Sequence, residues 1–164
     1  MEEILELKEK LMNNSIQEAI LLVDELETMG RQDKINTLES FLVVLLVHLI
    51  KIQVENRTTN SWLNSITNSL LEIQDRNKLG KKFHYIKQGN WNEHIDNKES
   101  RAVLKAAKEI FGGINVKQLR PQMDFIKLRS QTLFLLDLTY TKNAEEIDEI
   151  VEKIEPNITY DGEP

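Results

Sequence analysis

Hydrophobic positions along this chain recur at intervals of three and four residues, which is the period of an amphipathic α-helix. The clearest example is the segment from about 33 to 55. Its stripe runs through Ile35, Leu38, Leu42, Leu45, Leu49 and Ile52. Within it, residues 41–50 are aliphatic or aromatic at every position except His48. A helix of this run spans about 15 Å, only half of a bilayer's hydrocarbon core, so we expect a buried central helix and no membrane span.

Capping and breaking residues place further helices around this central one. We predict them at about 2–12, 16–29, 60–73, 98–111, 121–138 and 144–155. Pro121 suits the first turn of the helix at 121–138, and Asn143 with Glu146 is predicted to form a capping box that opens the last helix. Gly30 is predicted to end the second helix, because glycine readily adopts the left-handed stop. Residues 76–97 lack periodicity and are predicted to form a long connection, whereas residues 132–140 fit either a helix or a buried strand.

These elements predict an all-α fold. One domain over about residues 1–155 would form a bundle of six or seven helices around the central helix, followed by a loose tail at 156–164. The length of 164 residues suits one domain with a sizeable core. The absence of cysteine excludes disulfides, thiolate zinc sites and thiol nucleophiles. No secretory signal is recognisable, so we expect a cytoplasmic protein.

The chain has a net charge of -6, and its acidic and basic residues are distributed in three blocks. Residues 1–55 contain 11 acidic and 5 basic residues. Residues 56–130 contain 7 acidic and 14 basic residues, and residues 131–164 contain 9 acidic and 2 basic residues. A basic middle block packed between acidic ends would neutralise itself within the fold. The alternative is a basic binding surface in the region 76–129.

Two polar side chains fall where the apolar pattern predicts burial. On a helical wheel Glu27 lies between Ile16 and Ile20, so its carboxylate needs a cation or a donor. Arg31, His48 and Lys51 are the candidate partners. The simpler interpretation is a Glu27–Arg31 pair near a helix end, and the alternative is a ligand or catalytic pocket formed by all four residues.

His48 has two interpretations of its own. A lone histidine in a core helix usually bonds a carbonyl or a carboxylate, but burial can also tune it as a ligand or general base. Glu39 lies on the opposite face of the same helix and is not expected to reach it. No Glu-x-x-His or His-x-x-x-His pair is present, and we therefore expect neither a metal site nor a cofactor.

A cluster of basic residues follows the fourth predicted helix. It mixes cations with aromatic rings, as proteins that bind single-stranded nucleic acid do. The cations are Arg76, Lys78, Lys81, Lys82 and Lys87, and the rings are Phe83, Tyr85 and Trp91. Nucleic-acid binding is the weaker interpretation, because a basic loop beside an acidic helix gives the same composition.

From Leu22 onward the chain resembles a known family. The shared pattern includes residues 24–31, Leu38, Glu39, Ser40, Leu42, Leu45, Leu46, His48, Leu49, Lys51, Arg57, Ser61, Trp62 and Ile66. It resembles the all-helical family labelled domain of unknown function twenty-nine, over about residues 18–73. The resemblance implies an α-helical fold and a cyanobacterial or other bacterial source, but no activity. Its special positions are Glu27, Gly30, Arg31, Glu39, His48, Lys51 and Trp62.

The sequence therefore favours a non-catalytic helical protein that binds a protein partner or itself through an apolar helix face. The observations behind this are surplus apolar positions on the central helix and on the helix at 121–138, together with no recognisable catalytic set. A small-molecule, metal or enzymatic pocket around Glu27, Arg31, His48 and Lys51 is the first alternative. Nucleic-acid binding by the basic middle block is the second.

Overall fold

The structure, a computed structural model, describes residues 2–156. It confirms the all-α fold class, with one very short antiparallel hairpin among the helices. The elements are α1 (Glu2–Met12), α2 (Ile16–Glu55), α3 (Asn60–Arg76), β1 (Lys78–Leu79), β2 (Phe83–His84), α4 (Asn92–Glu109), α5 (Val116–Leu119), α6 (Phe125–Thr141) and α7 (Ala144–Glu152). The chain divides into two compact units, Met1–Asn36 and Thr37–Pro164. Of the predicted tail, residues 157–164 lie outside the described residues.

Helix α2 corrects the prediction of two separate helices. It runs without a break from Ile16 to Glu55 over 40 residues, and Gly30 lies inside it. Gly30 is not among the glycines with positive φ, so it forms no left-handed stop. A glycine inside a helix costs about 1 kcal/mol relative to alanine, too little to end a helix continued by good helix formers on both sides.

The first unit contains α1 and the start of α2. The turn between them places Asn14 in the left-handed region, with φ of 56°. Lys10 donates to Glu18 across this turn, with Nζ and Oε2 2.9 Å apart. Ala19 and Leu22 are its buried hydrophobic residues among those described.

The core of the second unit is formed around the α2 segment 37–55. Its completely buried side chains include Leu38, Leu42, Leu45, Leu46, Leu49 and Ile50. Helix α3 packs against both α6 and α7. Gln53 of α2 pairs with the backbone of Asp124, the N-cap of α6, donating to its carbonyl at 3.1 Å and accepting from its amide at 2.9 Å. The apolar residues of α2 that were expected to form surplus surface are therefore largely core in this unit.

Residues 76–97 are more ordered than predicted. They form the β1–β2 hairpin and the first turns of α4, which begins at Asn92 rather than near residue 98.

Downstream, residues 132–140 are helical and belong to α6, which settles the choice between helix and strand. Pro121 lies in a short 3-10 turn before α6 instead of in its first turn, because Asp124 caps the helix. The predicted Asn143–Glu146 capping box of α7 is confirmed.

Helix α2 is long and apolar enough to cross a bilayer by length and composition alone. Within its most apolar window, 56% of the residues are buried inside the protein. A mostly buried core helix passes the same test, so this property is weak support for a membrane span.

Candidate functional site

Large hydrophobic side chains are exposed along the first unit. Ile16, Ile20 and Val23 follow one another at spacings of four and three, so they share one face of α2. We call these three residues the N-terminal apolar face. The exposed large hydrophobic residues of the unit are Ile4, Leu5, Leu11, Met12, Ile16, Ile20, Leu21, Val23 and Met29.

Glu27 and Arg31 correct the prediction of a buried pair. Both side chains are exposed, and no hydrogen bond or ion pair joins them among the residues described. The helical wheel placed Glu27 between Ile16 and Ile20, but both of these residues are themselves exposed. A carboxylate there stays hydrated and needs no partner.

His48 is half-buried and bonds to its own helix. Its Nδ1 lies 2.8 Å from the carbonyl oxygen of Val44, one turn earlier. Burial lowers the pKa of the His48 imidazole below 6.5, and the nearby Lys51 ammonium lowers it further. The neutral imidazole is thus a core group with a backbone partner, the simpler of the two sequence interpretations.

Lys51 is a buried cation with two kinds of partner. Its Nζ lies 3.0 Å from Glu109 Oε2 of α4 and 4.9 Å from the centre of the Trp62 ring. Arg57 lies over the same ring, with Cζ 4.7 Å from its centre. Trp62 is buried near the start of α3, whose N-cap is Thr59. The two cations and Glu109 join the ends of α2, α3 and α4.

A cleft of about 380 Å³ lies beside His48. Its floor is aliphatic and its rim carries charged residues of α4. The lining residues are Val43, Val44, Val47, His48, Lys105, Lys108 and Glu109. Only His48, of the four residues in the predicted polar cluster, lines this cleft.

Glu39 pairs with a histidine that the sequence analysis did not select. The carboxylate is buried, with 7% of its side chain exposed, and its Oε2 lies 3.5 Å from Nδ1 of His94 on α4. That Nδ1 atom is completely buried and has no hydrogen-bond partner among residues 2–156. The ring of His94 meets Trp91 edge-on, with centroids 5.8 Å apart. As expected, Glu39 does not face His48; its partner comes from α4.

A hydrogen-bond network joins the segment before α4 to α6. The hydroxyl of Tyr140 accepts from Trp91 Nε1 at 2.7 Å and donates to the carbonyl of Ile86 at 2.6 Å. The carboxamide of Asn77 binds both backbone groups of Ile86, at 2.9 and 2.8 Å, and also donates to Tyr140 at 3.1 Å. Burial raises the pKa of Tyr140 above 10.0.

Ile86, which this network holds in place, lines a second cleft, of about 500 Å³. His94 also lines the cleft, and the other lining side chains are mainly polar. The lining residues are Tyr85, Ile86, Lys87, Asn90, Asn92, Glu93 and His94. We call it the His94 cleft. Sequence reasoning missed it because residues 76–97 carry no periodicity from which their folded positions could be inferred.

The basic cluster is divided between two environments. Arg76 is held by Glu72, 2.8 Å from its Nε, and lies over the Phe41 ring. Four lysines are exposed on or near the hairpin, namely Lys78, Lys81, Lys82 and Lys87. Phe83, in β2, is 66% exposed beside them. The hairpin therefore presents an aromatic ring among cations.

Within residues 2–156 no group of three or more histidine, aspartate and glutamate side chains is arranged to hold a metal ion.

Neither the curated proteins nor the solved structures contain a match to the chain. A family model does match, over residues 2–111, and its description is "Domain of unknown function DUF29". The match spans α1 to the end of α4 and contains Glu39, His48, Lys51 and Trp62, as well as His94. Because it covers about two thirds of the chain, the protein belongs to the DUF29 family.

Proposed function

We propose that this protein binds another protein through the N-terminal apolar face and that it is not an enzyme. The observation that carries the proposal is the row of exposed hydrophobic side chains in the first unit. Single exposed hydrophobic residues are ordinary on protein surfaces, whereas a contiguous group marks an interaction site. Ile16, Ile20 and Val23 have the spacing of residues that anchor one helix against another.

Charge specifies the chemistry of the partner. Residues 1–36 hold nine acidic and four basic residues, so two copies of this unit would repel each other. A partner that presents a basic, amphipathic helix would match both the apolar row and the exposed carboxylate of Glu27 on the same face. We therefore assign the surface to a basic protein partner rather than to a second copy of this chain.

The test is a binding titration with a labelled peptide that forms a leucine- and lysine-rich amphipathic helix. A scrambled peptide of the same composition is the comparison. We expect saturable binding of the amphipathic peptide and about a tenfold or greater loss of affinity in the double variant I16S/I20S, which leaves the charge unchanged. The matched control is L21S/M29S, which removes two exposed hydrophobic side chains on the opposite side of α2 and also leaves the charge unchanged.

Three results would contradict this proposal. One is equal binding of the amphipathic and scrambled peptides. Another is an unchanged affinity in I16S/I20S. The third is the detection of a dimer by light scattering over a range of protein concentrations, if the same double substitution dissociates that dimer. This result would assign the face to a second copy of the chain.

The hairpin supports nucleic-acid binding as a second candidate function. An exposed ring such as Phe83 can stack on a base, and Lys78, Lys81 and Lys82 beside it can neutralise phosphates. We expect a labelled single-stranded oligonucleotide to bind with an affinity that falls steeply with salt. Phe83→Ala should weaken binding without changing the salt dependence, whereas Lys81→Gln should reduce that dependence. No binding at low salt would exclude this function.

A further inference from the structure

The Glu39–His94 pair is a buried acid and base joined by a long contact. A carboxylate with 7% exposure needs a strong partner, yet its contact with His94 Nδ1 is 3.5 Å. That nitrogen has no hydrogen-bond partner in the part of the chain that the structure describes. Leaving a buried polar group unpaired costs about 1–3 kcal/mol. Hydrogen bonds at binding and catalytic sites are often long without ligand and shorten when the ligand is bound.

The pair also lies beside a space of suitable size. Ligand pockets commonly measure about 300–1,000 Å³, and the His94 cleft is about 500 Å³. Glu39 lies on the Nδ1 side of the His94 ring, so Nε2 is the ring nitrogen that Glu39 does not engage, and His94 is one of the residues that line the cleft. Trp91, which is 1% exposed, packs edge-on against the ring and restricts its rotation.

The lining of the cleft indicates the class of ligand. Asn90 and Asn92 carry carboxamides, a group that both donates and accepts hydrogen bonds, and Oδ1 of Asn92 already accepts from Arg129 Nη1 at 3.1 Å. Lys87 and Glu93 carry opposite charges, so the rim favours neither an anion nor a cation. Hydroxyl groups also donate and accept, and they match such a mixed lining better than a charged group does.

We propose that the His94 cleft binds a small, neutral, polyhydroxylated molecule, a sugar or a polyol. His94 forms a hydrogen bond to one hydroxyl group of this ligand through Nε2. Glu39 is a positioning residue: it holds the imidazole from the Nδ1 side and fixes which nitrogen carries the proton. This site is independent of the N-terminal apolar face and uses different residues.

The experiment is a set of titrations of the full chain followed by two-dimensional NMR. The neutral probes are glycerol, ribose and glucose, and the charged comparison probes are inorganic phosphate and acetate. We expect at least one neutral probe to cause saturable shifts at the backbone amides of residues 85–94 and at the Trp91 indole. Phosphate and acetate should cause no saturable shifts there.

Variants separate binding from a purely structural role. His94→Ala should lower the affinity about tenfold or more, and His94→Gln, which places an amide near the position of Nε2, should recover part of it. Glu39→Gln keeps the shape of the side chain and should weaken binding and alter its pH profile. The matched control is Glu72→Gln, which removes the charge of an exposed partner of Arg76 and should leave binding unchanged. Circular dichroism establishes that each variant is folded.

The proposal is overturned if no neutral probe gives saturable shifts, or if phosphate or acetate alone does. It is also overturned if Glu39→Gln lowers the melting temperature while affinity and pH profile remain those of the parent. In that case the pair only fastens α4 to α2.

Discussion

Removing one hydroxyl group tests how the segment before α4 is held to the core. The hydroxyl of Tyr140 contacts Trp91, Asn77 and Ile86 through hydrogen bonds of 2.7, 3.1 and 2.6 Å. In Tyr140→Phe, Asn77 and Ile86 still bind each other. Trp91 Nε1 has no other hydrogen-bond partner among the described residues, so it becomes a buried, unsatisfied donor.

The magnitude follows from these partners. An unsatisfied buried donor such as Trp91 Nε1 costs about 1–3 kcal/mol. The lost hydrogen bonds to Asn77 and Ile86 cost about 1 kcal/mol or less each, because these two residues still bind each other. We therefore expect Tyr140→Phe to lower the free energy of unfolding by about 2–3 kcal/mol. Urea denaturation followed by circular dichroism should show a lower midpoint with an unchanged dependence on urea concentration.

Tyr85→Phe is the matched control. The backbone amide of Tyr85 donates to Asn77, and its hydroxyl forms no hydrogen bond to any described residue. Its removal should change stability by no more than about 0.5 kcal/mol. The reasoning is refuted if Tyr140→Phe is as stable as the parent within that margin, or if both variants lose the same amount.

Three further predictions concern the core and two titrating groups. Leu49→Ala, at a position with 0% exposure, should lower the free energy of unfolding by about 2–5 kcal/mol in urea denaturation, whereas Ile20→Ala, at an exposed position, should stay within about 1 kcal/mol of the parent. Burial holds the pKa of His48 below 6.5, so on acidification the unfolded chain binds a proton more readily than the folded protein does. The free energy of unfolding should therefore fall as the pH drops below 6.5. In denaturation experiments at a series of pH values, His48→Gln should show a smaller fall. Burial raises the pKa of Tyr140 above 10.0, so a spectrophotometric titration should show a phenolate step above that value, and this step should be missing in Tyr140→Phe.

Periodicity predicted the helices well wherever one face of a helix is buried. The stripe from Leu38 to Ile52 marked the core helix, and the Asn143–Glu146 capping box marked the start of α7. Gly30 shows the limit of local signals, because the cost of a glycine inside a helix is small beside the cooperativity of a long helix. The same pattern could not tell whether the face of α2 that carries Ile20 is covered.

The candidate site was harder to infer than the fold. His48 and Lys51 were selected as polar groups in a core helix. The carbonyl that His48 contacts lies one turn earlier in the same helix, whereas Glu109, the partner of Lys51, is brought close by long-range packing that no local pattern contains. Glu39 was considered only as a position of the family pattern and as a partner of His48, which it was not expected to reach. Its partner His94 lies 55 positions away, at the start of a helix that was expected to begin later. Contacts between distant segments of this kind depend on tertiary structure.

The double hydrogen bond from Asn77 to Ile86 has a consequence for anything that enters the neighbouring cleft. One carboxamide at the end of α3 takes the place of a partner strand, so the wall formed by residues 85–87 is fixed when the protein folds. The conformational entropy of this wall is therefore lost during folding and not when a molecule binds. Even a small molecule with few contacts then retains most of its interaction energy as affinity.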